Sequence, residues 1–189
     1  MGPFISDHHY KDQDFTKERL SRATFENCVF EGCSFSHALL DNQEFMECTF
    51  LECDLSNANI TNTTFKEVVF EQCKMMGLRF ETCNPFLMDF TFVGCVLEYS
   101  TFYAMDIKGI LFDNYRLSNV DFSAAQLNGA TFQACNLENA IFNDTELAKA
   151  DFSTAYNYVI HPGKNHLKGA LFAREGLPGL LAHLHLKYI

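Results

Sequence analysis

Eight cysteines and seven histidines are the residues of this chain best equipped for chemistry. The cysteines stand at 28, 33, 48, 53, 73, 83, 95 and 135. Thiolates bind zinc, exchange disulfides or attack as nucleophiles. Zinc sites pair their ligands roughly two to four residues apart, whereas these cysteines recur in steps that follow fives and twenties. Cys33, Cys53 and Cys73, twenty apart, would stack closely enough for a disulfide, but a reducing compartment and a packing role make them small buried hydrophobes. Of the histidines, His8, His9, His161, His166, His183 and His185 lie in terminal or loop segments, and only His37 falls among regular repeats. None has a carboxylate at a spacing that signals catalysis or metal binding. No G-x-S-x-G, phosphate-binding or dinucleotide-binding motif is present. The reading is a protein that is not an enzyme, with no metal, no cofactor and no catalytic residues.

What positions the cysteines is a repeat. Phenylalanine occupies 15, 25, 30, 35, 45, 50, 65, 70 and 80, with Leu20, Leu40, Leu55, Ile60 and Met75 filling the gaps. A second series, shifted by two, runs from Phe92 through Phe152 in alternation with Leu97, Ile107, Leu117, Leu127, Leu137 and Leu147, and resumes at Leu167 and Phe172. Seventeen of the 20 phenylalanines fall on these two series. The position two before each centre is mostly Cys, Ala, Val, Thr or another small or apolar residue, so two inward side chains are spaced as on extended backbone. The position two after each centre carries turn formers, among them Gly32, Gly77, Gly94, Gly109, Gly129, Asn27, Asn42, Asn57, Asn62, Asn114, Asn119 and Asn139. A period of five cannot be helical. Residues 25–42 (FENCVFEGCSFSHALLDN) also match 45–62 (FMECTFLECDLSNANITN), so four pentapeptides make one turn of a four-sided coil. The fold class is all-β: a solenoid of about seven coils, on the order of 30 Å long at strand spacing.

The domain organisation follows. Residues 1–14 form an N-terminal segment or cap, and residues 15–172 the β-helix, in two sub-stacks (15–82 and 90–172). A bulge at 83–89 adds two residues around Pro85, and a loop spans 154–166. Residues 173–189 are a C-terminal cap and dimerisation segment. There Leu177, Leu180, Leu181 and Leu184 follow helical spacing after Pro178, a first-turn proline; Leu186 and Ile189 complete the apolar set, in a segment from His185 to Ile189 expected as a short strand.

Charge is uneven. From Ala23 to Glu146 there are 18 acids against five bases, a net of −13, while residues 147–189 carry a net of +3. The candidate partner-binding residues are the acids that the coil would stack: Glu31, Glu47, Glu52, Glu67, Glu71, Glu98, Asp106, Glu138 and Glu146. Such a surface disfavours direct nucleic acid binding, which needs Lys and Arg against phosphate. No apolar run approaches a membrane span and no secretory signal opens the chain, so a cytoplasmic location is expected.

The repeat resembles the pentapeptide-repeat family, written A(N/D)LXX, over about residues 15–172. The resemblance implies a right-handed quadrilateral β-helix. The two registers, the Cys-rich first half and the Leu-rich end are most similar to Qnr-like fluoroquinolone-resistance proteins. That likeness implies a homodimer through the C-terminal segment whose acidic surface mimics DNA and engages DNA gyrase or topoisomerase IV, modulating the enzyme or protecting it from quinolones. Qnr proteins with strong protection carry loops projecting from the coils; here residues 15–80 and 92–152 run without insertion, which bears on protection more than on binding. The alternative is a structural or interaction scaffold for some other protein partner.

Overall fold

The computed structural model describes residues 2–86 and 88–187. The fold is an all-parallel β-solenoid of about eight turns with one short C-terminal helix. The chain divides into two compact units, Met1–Ser100 and Thr101–Ile189.

In the first unit, strands β1 (Phe4–Ser6), β3 (Thr24–Glu26), β5 (Glu44–Met46) and β7 (Thr64–Lys66) form one sheet. Strands β2 (His9–Lys11), β4 (Val29–Glu31), β6 (Thr49–Leu51), β8 (Val68–Glu71) and β9 (Phe90–Val93) form a second. Phe25 pairs with Phe45 and Phe45 with Phe65, the twenty-residue step read from the sequence. Phe70 pairs with Phe92, a step of 22 that locates the two inserted residues. The remaining sides are held by single bridges, such as the column Asp14–Ser34–Asp54–Lys74–Val96.

The ladder begins earlier than the phenylalanine series. Ile5 pairs with Phe25 and Tyr10 with Phe30, so residues 4–11 supply part of a further coil ahead of residue 15. Both positions are multiples of five, and their being Ile and Tyr is what hid them.

The second unit repeats the plan with β10 (Leu111–Asp113), β11 (Thr131–Gln133), β12 (Asp151–Phe152) and β13 (Leu171–Phe172). The stretch 154–166, expected as a loop, forms no strand but keeps the register at its two ends, where Tyr156 bridges Asn136 and His166 bridges Glu146; Ala155, Tyr158 and Ile160 are buried. Between those two bridges Asn157 takes a left-handed turn (φ 60°) and the 3-10 turn Pro162–Lys164 follows. Helix α1 (Leu177–Leu181) carries Pro178 in its first turn, as expected, and passes into a 3-10 turn, Ala182–Leu184. The strand expected from His185 is absent: His185 takes a left-handed turn (φ 51°) and residues 186–187 are irregular. Tyr188 and Ile189 lie outside the described residues.

Inside each unit the rings form ladders. Phe30 stacks on Phe50 at 4.7 Å with planes 9° apart, and Phe45 meets Phe50 edge-on at 5.2 Å and 75°. In the second unit Phe132 stacks on Phe152 at 4.6 Å. Such pairs add about 0.5–1.5 kcal/mol each to the burial of the rings. Corners recur every five residues as left-handed backbone, and every Gly and Asn read as a turn former in the sequence has positive φ.

An acid-flanked face and a hydrogen-bonded thiol ladder

Five of the nine candidate acids meet on one side of the first unit. Glu31 closes β4 and Glu71 closes β8, on the same column as Leu51 between them. Glu47 and Glu67 occupy the corners that lead into β6 and β8, while Glu52 occupies the corner that follows β6. These corner glutamates are exposed and left-handed, with φ of 54°, 54° and 53°. A side chain with a Cβ costs about 1–2 kcal/mol in that region, and Gly or Asn fits it better. The fold itself therefore gives no reason for glutamate at these three corners.

The other candidates do not join this face. Glu98 lies on the next side of the first unit, where its carbonyl accepts from Gly77 N–H at 3.0 Å. In the second unit Asp106 and Glu146 share one column through Gln126, and Glu138 stands on a different side, its carbonyl accepting from Asn119 N–H.

Several of the acids are neutralised locally. Glu31 accepts from Lys11 Nζ at 2.6 Å and lies 2.9 Å from His9 Nε2. The lysine hydrogen bond is the main reason the Glu31 carboxyl sits below its ordinary value, and the same bond raises Lys11. Lys66 lies 3.7 Å from Glu67, Lys108 2.8 Å from Asp106, and His166 Nδ1 3.1 Å from Glu146. Among the described residues Glu47, Glu52 and Glu71 form no ion pair. Two histidines thus do have carboxylate partners, contrary to the sequence reading. His9–Glu31 and His166–Glu146 are separated by 22 and 20 residues, so the coil period, not a short motif, brings them together.

All eight cysteines are buried and free. Burial pushes the thiols of Cys48 and Cys83 up to about 12 and that of Cys135 to about 11, the direction expected where the charged form is desolvated. They are more than filler. Cys48 Sγ donates to Phe25 O at 3.5 Å, Cys53 to Phe30 O at 3.2 Å, Cys73 to Phe50 O at 3.3 Å and Cys135 to Phe112 O at 3.3 Å. Thr63 and Thr145 place hydroxyls in the same way on Leu40 O and Phe122 O. Gln43 and Asn165 use side-chain amides on Leu20 O and Phe142 O. Where the inward slot two before a centre holds one of these residues, it is a donor site for a carbonyl 23 residues back. The mixture of Cys, Thr, Gln and Asn there was the available signal. Among the described residues no group of His, Cys, Asp and Glu is arranged to hold a metal ion.

Two family models match: "Pentapeptide repeat region" over residues 43–118, and "Pentapeptide repeats (8 copies)" over 14–42 and 116–155. Between them they take in residues 14–155. The chain belongs to the pentapeptide-repeat family.

This pentapeptide-repeat chain also superposes on solved structures. One is a trypsin-treated variant of QnrB1, a plasmid-mediated fluoroquinolone resistance protein, at 16% identity and a TM-score of 0.55, covering 100% of both chains. Another is HetL, involved in heterocyst differentiation regulation in the cyanobacterium Nostoc sp. strain PCC 7120, at 19% identity and a TM-score of 0.56, covering 89% of this chain and 86% of the other. These likenesses are of fold. No curated protein matches the sequence. No helix among the described residues is long and apolar enough to cross a membrane.

At the C-terminal end of this pentapeptide-repeat protein, α1 docks through glycines. Gly176 and Gly179 press on Tyr158, and Ile160 N–H donates to Gly179 O at 3.2 Å. The Tyr158 hydroxyl is buried there without a hydrogen-bond partner, and burial raises its pKa. The leucines expected for capping divide: Leu180 is half-buried, whereas Leu177, Leu181, Leu184 and Leu186 are exposed by 39–54%.

Proposed function

We propose that this protein is a binding surface, not a catalyst, and that its partner is the DNA-binding surface of DNA gyrase or topoisomerase IV. Binding would modulate the enzyme or protect it from quinolones, in the cytoplasm, with no nucleic acid bound directly by this chain. The observation that carries the reading is the placement of Glu47, Glu52 and Glu67 at exposed left-handed corners bordering the sheet that also bears Glu31 and Glu71. Charge held at a conformational cost, on one side of a stacked coil, points to surface function.

A fold shared by QnrB1 and HetL does not select a partner, because function resides in sites carried on folds. The charge does. Carboxylates held on a rigid ladder, Glu47, Glu52 and Glu71 among them, meet Lys and Arg with little ordering cost. The exposed leucines of the C-terminal segment support a homodimer, since apolar side chains that cap nothing in their own chain favour burial against a copy.

A supercoiling assay with purified gyrase, with and without ciprofloxacin, tests the reading. Inhibition of supercoiling, or recovery of activity in the presence of drug, is expected, and either should weaken as salt rises. A protein that does neither and shows no salt-sensitive binding is a scaffold for a different partner.

A further inference from the structure

The C-terminal segment of the second unit returns over residues 158–164, and two imidazoles meet there. His161 and His183 stack with ring centroids 4.0 Å apart and planes at 30°. His161 also opens the 3-10 turn Pro162–Lys164, its Nδ1 accepting from Gly163 N–H at 3.0 Å. That bond needs the neutral ring, because an imidazolium has two donors and no acceptor. Both rings and Lys164 border an open groove of about 750 Å³ that is otherwise lined by residues such as Ser123, Asn139, Ile141, Asn143 and Val159. Among the described residues no carboxylate lines it. Asp144, whose N–H donates to Lys164 O, is an exposed corner residue just beyond the lining. In a chain of net charge −10, three groups able to carry positive charge thus converge without a counterion in their groove.

We propose that the His161–His183 stack is a pH-operated latch. With both rings neutral it holds the C-terminal segment on the last coils; with both protonated it releases it. Three effects act in the same direction. The Gly163 N–H loses its acceptor, the two stacked rings repel each other, and Lys164 repels both. Histidine is the side chain whose charge changes between about pH 5 and 8. The segment is also held by Ile160 N–H to Gly179 O and by the contact of Gly176 and Gly179 with Tyr158. Residues 181–187 are exposed, as expected of an element that opens at low free energy. Release would carry off the exposed Leu181, Leu184 and Leu186 together, and the inference holds whatever partner the acidic face binds.

The Ile160 amide reports the latch directly, because its acceptor belongs to the segment. Its hydrogen exchange, corrected for the intrinsic rate, is measured at about pH 7.5 and about pH 5.5, on the two sides of the histidine range. The Phe122 amide, bonded to Ile141 O at 2.9 Å, serves as the folding control. Ile160 protection is expected to fall by about fivefold or more in acid while Phe122 stays protected. A His183→Phe variant, which keeps a ring in the stack but removes the repulsion between two charged rings, should lose much less protection in acid than the wild type. A His183→Asn variant should show low protection at both. Equal protection of the wild type at the two pH values, an acid loss in His183→Phe as large as in the wild type, or full neutral-pH protection in His183→Asn would each overturn the latch.

Discussion

Cys53 is 1% exposed, and its thiol donates to Phe30 O. Replacing it with alanine removes a buried sulfur and leaves a carbonyl short of a donor, at a cost of about 1 kcal/mol. Cys53→Thr should cost less, because Thr63 and Thr145 already fill equivalent slots. Denaturant midpoints of the two variants check the order, and an alanine variant as stable as the wild type would show that the donor contributes nothing. Asp14 gives a second prediction at this scale. The hydroxyl and N–H of Thr16 and the ammonium of Lys17 hold its carboxyl down to about 2 from an ordinary 3.8. The stability linked to this lowered pKa is present above the ordinary value and is lost as pH falls toward about 2. The Thr16 amide, bonded to Asp14 at 3.0 Å, should lose exchange protection over that window; in Asp14→Asn the change should be absent. At this scale the sequence was legible where a side chain has one job. The burial of the cysteines followed from the repeat alone, but their donor role did not, since sulfur, hydroxyl and amide share it across unlike residue types.

Corners and caps set what the elements can do. The left-handed positions were legible because Gly and Asn favour them, and the same spacing put Glu47, Glu52 and Glu67 there without announcing it. The twenty-residue register was equally legible from Phe25, Phe45 and Phe65, whereas Ile5 and Tyr10 escaped because neither is Phe. The C-terminal segment was half legible. Leucine spacing gave the helix, but the docking contact is made by Gly176 and Gly179, residues that carry no apolar signal. A Cβ at Gly179 would collide with the Tyr158 carbonyl, a backbone atom with little room to yield. Gly179→Ala should therefore undock α1 while the coils remain folded. The expected result is loss of Ile160 exchange protection with a circular dichroism spectrum close to that of the wild type; retained protection would show that the helix is held by other contacts.

For the molecule as a whole, the exposed leucines of the second unit and the carboxylates of the first lead to separate tests. If the leucines form a homodimer interface, Leu177→Arg with Leu184→Arg should give a monomer by light scattering without unfolding the coils, and an unchanged mass would remove them from the interface. The central claim is that corner carboxylates of the first unit recognise a topoisomerase. The variant Glu47→Asn/Glu52→Asn/Glu67→Asn keeps residues that suit left-handed corners and should be slightly more stable than the wild type. Its equilibrium binding to purified gyrase, followed over a range of salt concentration beside the wild type, is the most direct measurement. The account predicts that the wild type binds with an affinity that falls steeply as salt rises, and that the triple variant binds at least about tenfold more weakly with a shallower dependence. Equal affinity and equal salt dependence in the two proteins, or no binding by either, would contradict it.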